Sequence, residues 1–167
     1  MRWVSYFILA YIALGVQIAL DGFVDIKGVT PNFVLLVVIF LAVNGGREPV
    51  LLGSFILGLM QDLLSLYPLG TWAVTYTLVA MFVLSTQEIV YREHPLTHFS
   101  LALSGGILCG VVLTIHAWIY PLIHGTGTGR GGGMASFTSA IYTAVLAPVI
   151  LGVLQRMKRA FAFRRRL

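Results

Sequence analysis

Few side chains in this sequence could do chemistry, and Asp62 is the sharpest of them. It closes an apolar stretch that begins at Val50. A carboxyl group in such a setting is costly unless it faces a cavity, a partner or the membrane interface. If a helix opens near Pro49, Asp62 lies roughly 20 Å further along at ~1.5 Å per residue, past the midplane of a bilayer. Lys27 and Arg130 are the cations expected on that side and are therefore its candidate partners. The expectation is structural: Asp62 ends a short helix beside the turn Pro68-Leu69-Gly70.

The other candidates carry less. Asp21 and Asp25 are four residues apart, as a general acid and base or two metal ligands on one helical face would be. No neighbouring His or Cys completes such a site, so a solvated loop is expected. His116 precedes His124 by eight residues, two turns apart rather than the four-residue spacing of a zinc-binding helix. A hydrogen-bonded helix contact is expected of His116. His94 and His98 have the four-residue spacing, but Pro95 between them interrupts a regular helix, which predicts a loop. The run Gly125 to Gly133 around Arg130 lacks the Gly-Lys-Ser/Thr ending of a phosphate loop and is expected to be a flexible linker. Nothing matches Gly-x-Ser-x-Gly, and Ser104-Gly105 has no evident base. No motif implies a cofactor or a metal, and no enzyme is expected.

The elements that hold these residues are apolar. The chain is 58% hydrophobic and 10% charged, a composition that cannot cover itself with a polar surface in water. Its apolar segments predict an all-α membrane protein with six transmembrane helices in a single domain. The spans are about 3–20, 32–43, 50–66, 72–86, 99–123 and 137–154, followed by a basic tail over 155–167. The first could be a signal peptide, but its only cleavage-like site, Ala13-Leu14-Gly15, is buried within the run, so a retained helix is expected. Segment 32–43 is short for a spanning helix, which needs ~17 to 25 residues. With the break Asn44-Gly45-Gly46-Arg47-Glu48-Pro49 it predicts a tight hairpin of the second and third helices.

Charge fixes the orientation. With the N-terminus inside, nine of the eleven Lys and Arg residues are cytoplasmic, and only Lys27 and Arg130 are outside. That asymmetry places both termini in the cytoplasm. Six basic residues fall in the last dozen positions, where they read as a stop signal aided by anionic lipid rather than as a nucleic-acid site. The single Cys109 cannot form an intramolecular disulfide and is expected to be a small packing residue. Ala102, Gly106 and Gly110 recur every four residues on the fifth helix, and Ser54, Gly58 and Asp62 do so on the third. Such ridges let helices approach closely.

The region from Thr30 to Gly70 resembles the MreD family of rod shape-determining membrane proteins. Pro31-Asn32 opens the second helix where that family typically has Pro and Asp. Gly58-Leu59-Met60-Gln61-Asp62 and then Leu69-Gly70 follow in the order of its most recognisable region. The length, six crossings, short loops and basic tail are also similar. The resemblance implies a non-enzymatic subunit of the bacterial cell-elongation machinery in the inner membrane. Its implied partners are MreC, with MreB filaments, RodA and the transpeptidase that builds the lateral wall. It carries over to Pro31, Asn32, Gly58, Asp62 and Gly70, expected to shape the hairpin and its cavity-facing or MreC-facing side. The six-helix plan also resembles the substrate-capturing subunits of energy-coupling-factor vitamin transporters. That alternative would make Gln17, Asn32, Asp62, Trp72 and Arg130 a ligand pocket, with Gly15 and Ala19 as a weak docking pattern. An enzyme acting on lipid-linked substrates would need clustered carboxylates or phosphate clamps, for which the inventory is thin.

Overall fold

The computed structural model describes residues 3–21, 30–65, 68–86, 95–124 and 132–161. They form six helices: α1 (Trp3–Asp21), α2 (Phe33–Asn44), α3 (Arg47–Leu64), α4 (Thr71–Thr86), α5 (Pro95–His124) and α6 (Gly132–Phe161). There is no strand among the described residues.

Helix α2 is the centre of the bundle and touches each of the other five. Its sequence, FVLLVVIFLAVN, has no polar face, and Val34 to Ala42 are all buried. A helix that is apolar all round belongs in an interior. Around it, α3 packs on α4 and α5 packs on α6 as two close pairs, α4 touches α5, and α1 lies against α2 and α3. Helix α3 turns its small residues inward. Gly53, Ser54 and Gly58 are buried with Val50, Leu57 and Asp62, while Leu52, Phe55 and Leu63 are exposed.

Large apolar side chains cover the outside of the bundle as well, from Phe7, Ile8 and Tyr11 on α1 to Ile141, Val145 and Val149 on α6. Such a surface suits hydrocarbon better than water. Phe99–Ile119 of α5 and Thr138–Arg156 of α6 are long and apolar enough to cross a membrane. Shorter apolar helices cover Tyr6–Ala19, Phe33–Asn44 and Thr71–Thr86.

Several helix ends differ from the limits of the apolar runs, because polar and small residues also fit a first turn. Helix α3 begins at Arg47, so Pro49 lies inside its first turn, where a missing N–H leaves no helical bond unmade. Helix α5 begins at Pro95, a residue well suited to a first helical position. His98 is therefore helical, which corrects the loop expected there. Helix α6 starts at Gly132 and runs 30 residues, taking in the last glycines of the expected linker.

Candidate functional site

Helix α4 begins without a side-chain cap of its own. The residue before it is Gly70, at φ +98°, a conformation that favours glycine. A helix start leaves its first N–H groups without helical partners, and burial makes that expensive. Asp62, on the last turn of α3 and 3% exposed, supplies the acceptors. Its Oδ1 accepts from the Trp72 N–H at 2.9 Å. Its Oδ2 accepts from Gly70 at 2.9 Å and from Ala73 at 3.2 Å. The Thr71 N–H goes to the Pro68 carbonyl, and Val74 closes the first helical bond onto Gly70. Every backbone N–H from Gly70 to Val74 is thus satisfied, and the positive end of the α4 dipole faces the carboxyl group.

The expected partners of Asp62, Lys27 and Arg130, lie outside the described residues, as does the Gly-rich run before Gly132. What satisfies this carboxyl among the described residues is backbone. The close approach it requires is provided one turn earlier. A Cβ on Gly58 would fall 2.6 Å from both the Ala73 nitrogen and the Trp72 carbonyl oxygen, so only glycine lets α3 and α4 come together there. Ser54, one turn further back, is fully buried, and its hydroxyl has no hydrogen-bond partner among the described residues.

A second polar cluster sits at the same end of the bundle, where α2 begins. Asn32 caps α2, its Oδ1 accepting from the Leu35 N–H at 2.8 Å and from the Tyr76 hydroxyl of α4 at 3.1 Å. The Asn32 N–H donates to Thr143 Oγ1 of α6 at 2.9 Å, and Thr143 donates on to the Ser139 carbonyl. The Ser139 hydroxyl donates to the Thr30 carbonyl at 2.6 Å. Gln17 of α1 spans the same turn, accepting from the Phe33 N–H at 2.8 Å and donating to the Pro31 carbonyl at 3.1 Å. The start of α2 is therefore tied to α1, α4 and α6. His116 of α5 meets the start of α4 instead, with Nε2 3.4 Å from Thr71 Oγ1.

These bonds engage residues that a vitamin pocket would need free. Both ends of the Gln17 amide, Asn32 Oδ1 and both Asp62 oxygens bind backbone or neighbouring helices. The Trp72 ring packs on Tyr76 with centroids 5.3 Å apart. Far from this cluster, Tyr6 of α1 is fully buried and its hydroxyl donates to the Gly53 carbonyl of α3.

The ridge on α5 is buried at Ala102, Gly106 and Gly110. A Cβ on Gly106 would lie 2.8 Å from the Ala140 Cβ and 3.0 Å from its Cα, so this glycine sets the approach of α6. Cys109 is buried as a packing residue. Asp25 and His94 lie outside the described residues, as do the side chains of Asp21, His98 and His124. Among the described residues no His, Cys, Asp and Glu group of three or more could hold a metal. Asp62 is distinguished by polarity alone. Gln17, Tyr76, Ser139 and Thr143 are marked only as polar groups inside apolar runs, a signal for a buried bond but not for its partner.

Comparison with known families gives one finding: the family model described as rod shape-determining protein MreD matches residues 1–157. No curated protein and no solved structure gives a significant match.

Proposed function

The chain belongs to the MreD family of rod shape-determining membrane proteins, and from that premise we propose that it is a non-enzymatic scaffold of the bacterial cell-elongation complex. It binds MreC and, through the same complex, works with MreB, RodA and its transpeptidase in peptidoglycan synthesis. In this reading all six helices form one domain in the inner membrane. The Arg47 turn and the basic stretch after Leu154 lie on the cytoplasmic side, as the distribution of Lys and Arg favours.

The observation that carries the proposal is the family match along 157 residues. The site chemistry agrees with it. Asp62 accepts three backbone N–H groups, which suits a carboxyl that fixes two helices rather than one that shuttles protons. Pro31, Asn32, Gly58, Asp62 and Gly70 then act by shaping the end of the bundle that MreC meets, and Ala102, Gly106 and Gly110 by seating α6. The vitamin-importer alternative has in its favour the six-helix plan and the weak Gly15 and Ala19 pattern.

The test is an affinity pull-down of the tagged protein from its native membrane in mild detergent, with co-purifying chains identified by mass spectrometry. Recovery of MreC with RodA and its transpeptidase is the expected result. Recovery of paired ATPases with a transmembrane coupling subunit would replace the scaffold by a vitamin importer.

A further inference from the structure

We propose that the elbow between α3 and α4 ends inside the bilayer rather than at its surface, and that Leu63, Leu64 and Leu69 form a recessed seat for phospholipid acyl chains of the leaflet opposite Arg47. In the proposed orientation that is the outer leaflet. The inference rests on the reading that α3 and α5 cross the membrane.

Two rulers along the bundle give the depth of the elbow. The first runs up α3. Arg47 and Glu48 are exposed charges at its start, so the hydrocarbon begins near Val50. From there to Leu64, the last residue of α3, is ~21 Å of helix against a hydrocarbon core of ~30 Å. The elbow thus stops ~9 Å short of the far boundary, and any tilt of α3 lowers it further. The second ruler runs along α5. Thr71 Oγ1, at the start of α4, lies 3.4 Å from His116 Nε2, which fixes the level of the elbow on α5. Beyond His116 that helix continues to His124, ~12 Å further, through Ala117 to Ile123 without a charged residue. An uncharged helix that still rises past the elbow places the elbow within hydrocarbon.

The surface of the elbow suits that depth. Leu63, Leu64 and Leu69 are 74%, 55% and 71% exposed, and no residue from Leu63 to Leu69 is charged. The polar groups beside them turn inward. Ser65 donates its N–H to the Gln61 carbonyl and its hydroxyl to that of Asp62. The Thr71 hydroxyl donates to the Pro68 carbonyl, and Asp62 holds the N–H groups of Gly70, Trp72 and Ala73. Non-helical backbone is tolerated at membrane depth when its polar groups are met within the protein. The same chemistry selects the occupant. A docked protein helix would need small or polar residues to hold it, and the exposed positions here are leucines. An acyl chain needs neither.

The test is spin-label accessibility in full-length protein reconstituted in palmitoyl-oleoyl phosphatidylcholine, in a Cys109→Ala background with single Leu64→Cys and Leu69→Cys substitutions. Both positions are exposed, so labelling leaves the core intact. The references are Phe55→Cys on α3 and Val111→Cys on α5, both at exposed apolar positions, and Arg47→Cys at the charged start of α3. Labels at Leu64 and Leu69 are expected to collide with oxygen as the Phe55 label does, and to lose the collisions with a water-soluble nickel chelate that the Arg47 label shows. Thin dilauroyl phosphatidylcholine should restore nickel collisions at Leu69 and leave Phe55 protected, because the recess closes as the hydrocarbon shortens toward the length of α3. Nickel access at Leu64 and Leu69 in the thicker bilayer, with Phe55 and Val111 protected, overturns the proposal and returns the elbow to the surface. Loss of both oxygen and nickel collisions overturns it in favour of a protein occupant. Nickel access at Phe55 or Val111 defeats the crossing itself, and the proposal with it.

Discussion

Helices α3 and α4 meet through a carboxyl group, whereas α5 and α6 meet through missing side chains. In the first pair, Asp62 takes three N–H groups from the start of α4. In the second, Gly106 opens the space that Ala140 fills. Lipid removes most of the hydrophobic drive between helices, so directional bonds and close packing are what remain to hold a bundle together. The first pair uses both, with Gly58 opening the approach across which Asp62 bonds, and the second relies on packing. A hydrogen-bonded elbow is strict, because water cannot readily replace a lost acceptor in a buried site. A packed seam is graded, because its cost depends on how much volume is added and how far its neighbours can shift.

Asp62→Ala should therefore be the most damaging single change. It strands three N–H groups, each worth about 1–3 kcal/mol when left unpaired in a buried site. A total loss of about 3 kcal/mol or more is expected in a denaturant titration of the purified protein in micelles. Asp62→Asn should fall between, since its amide keeps one acceptor oxygen and gains a donor that faces other donors. A loss of less than 1 kcal/mol for the alanine variant would dissolve the contrast between the pairs.

Gly58→Leu comes next, because the added side chain meets α4 backbone that cannot rotate away. A cost of about 3 kcal/mol is expected from such overpacking. Gly106→Leu meets a small side chain first and should cost about 1–3 kcal/mol in the same titration. Gly15→Leu is the reference, since nothing lies within 4 Å of a Cβ there, and it should leave the midpoint nearly unchanged. If Gly15→Leu and Gly106→Leu behaved alike, the seam would not be set by Gly106. Among the bonded and packed positions Asn32→Ala is expected to show a modest loss, about 1–2 kcal/mol, since it removes the cap and the acceptor of the Tyr76 hydroxyl. The start of α2 keeps its bonds to Gln17 and Thr143, which circular dichroism and the same titration would register as retained helix with a modest shift.

The elbow also shows what a sequence does and does not disclose. Apolar runs and the Gly-Pro turn after Asn44 are enough to expect the six helices and a short α2, but not that the other five enclose it. The limits of α5 and α6 are harder to read, since Pro95 and Gly132 look like breakers yet occupy first helical turns. Asp62 declares itself by its cost in an apolar setting. Its partners do not, because the N–H groups of Gly70, Trp72 and Ala73 look the same in any sequence. The one trace is negative: α4 opens after a glycine, with no Ser, Thr, Asp or Asn at the capping position. Seeking a cation for Asp62 overlooks that vacancy. The α2 clasp is hidden for a similar reason, as Gln17, Tyr76, Ser139 and Thr143 are far apart along the chain and meet only when the helices pack.

The central claim is that the polar residues of this protein serve the shape a partner recognises. The direct test is to measure unfolding and MreC retention together for Asp62→Ala and Asp62→Asn, in protein purified in mild detergent from cells expressing both partners. The account predicts that stability and MreC recovery decline in parallel, with Asn intermediate in both. A variant that keeps its full unfolding midpoint while losing MreC would contradict it, and would make Asp62 a contact residue rather than the brace between α3 and α4.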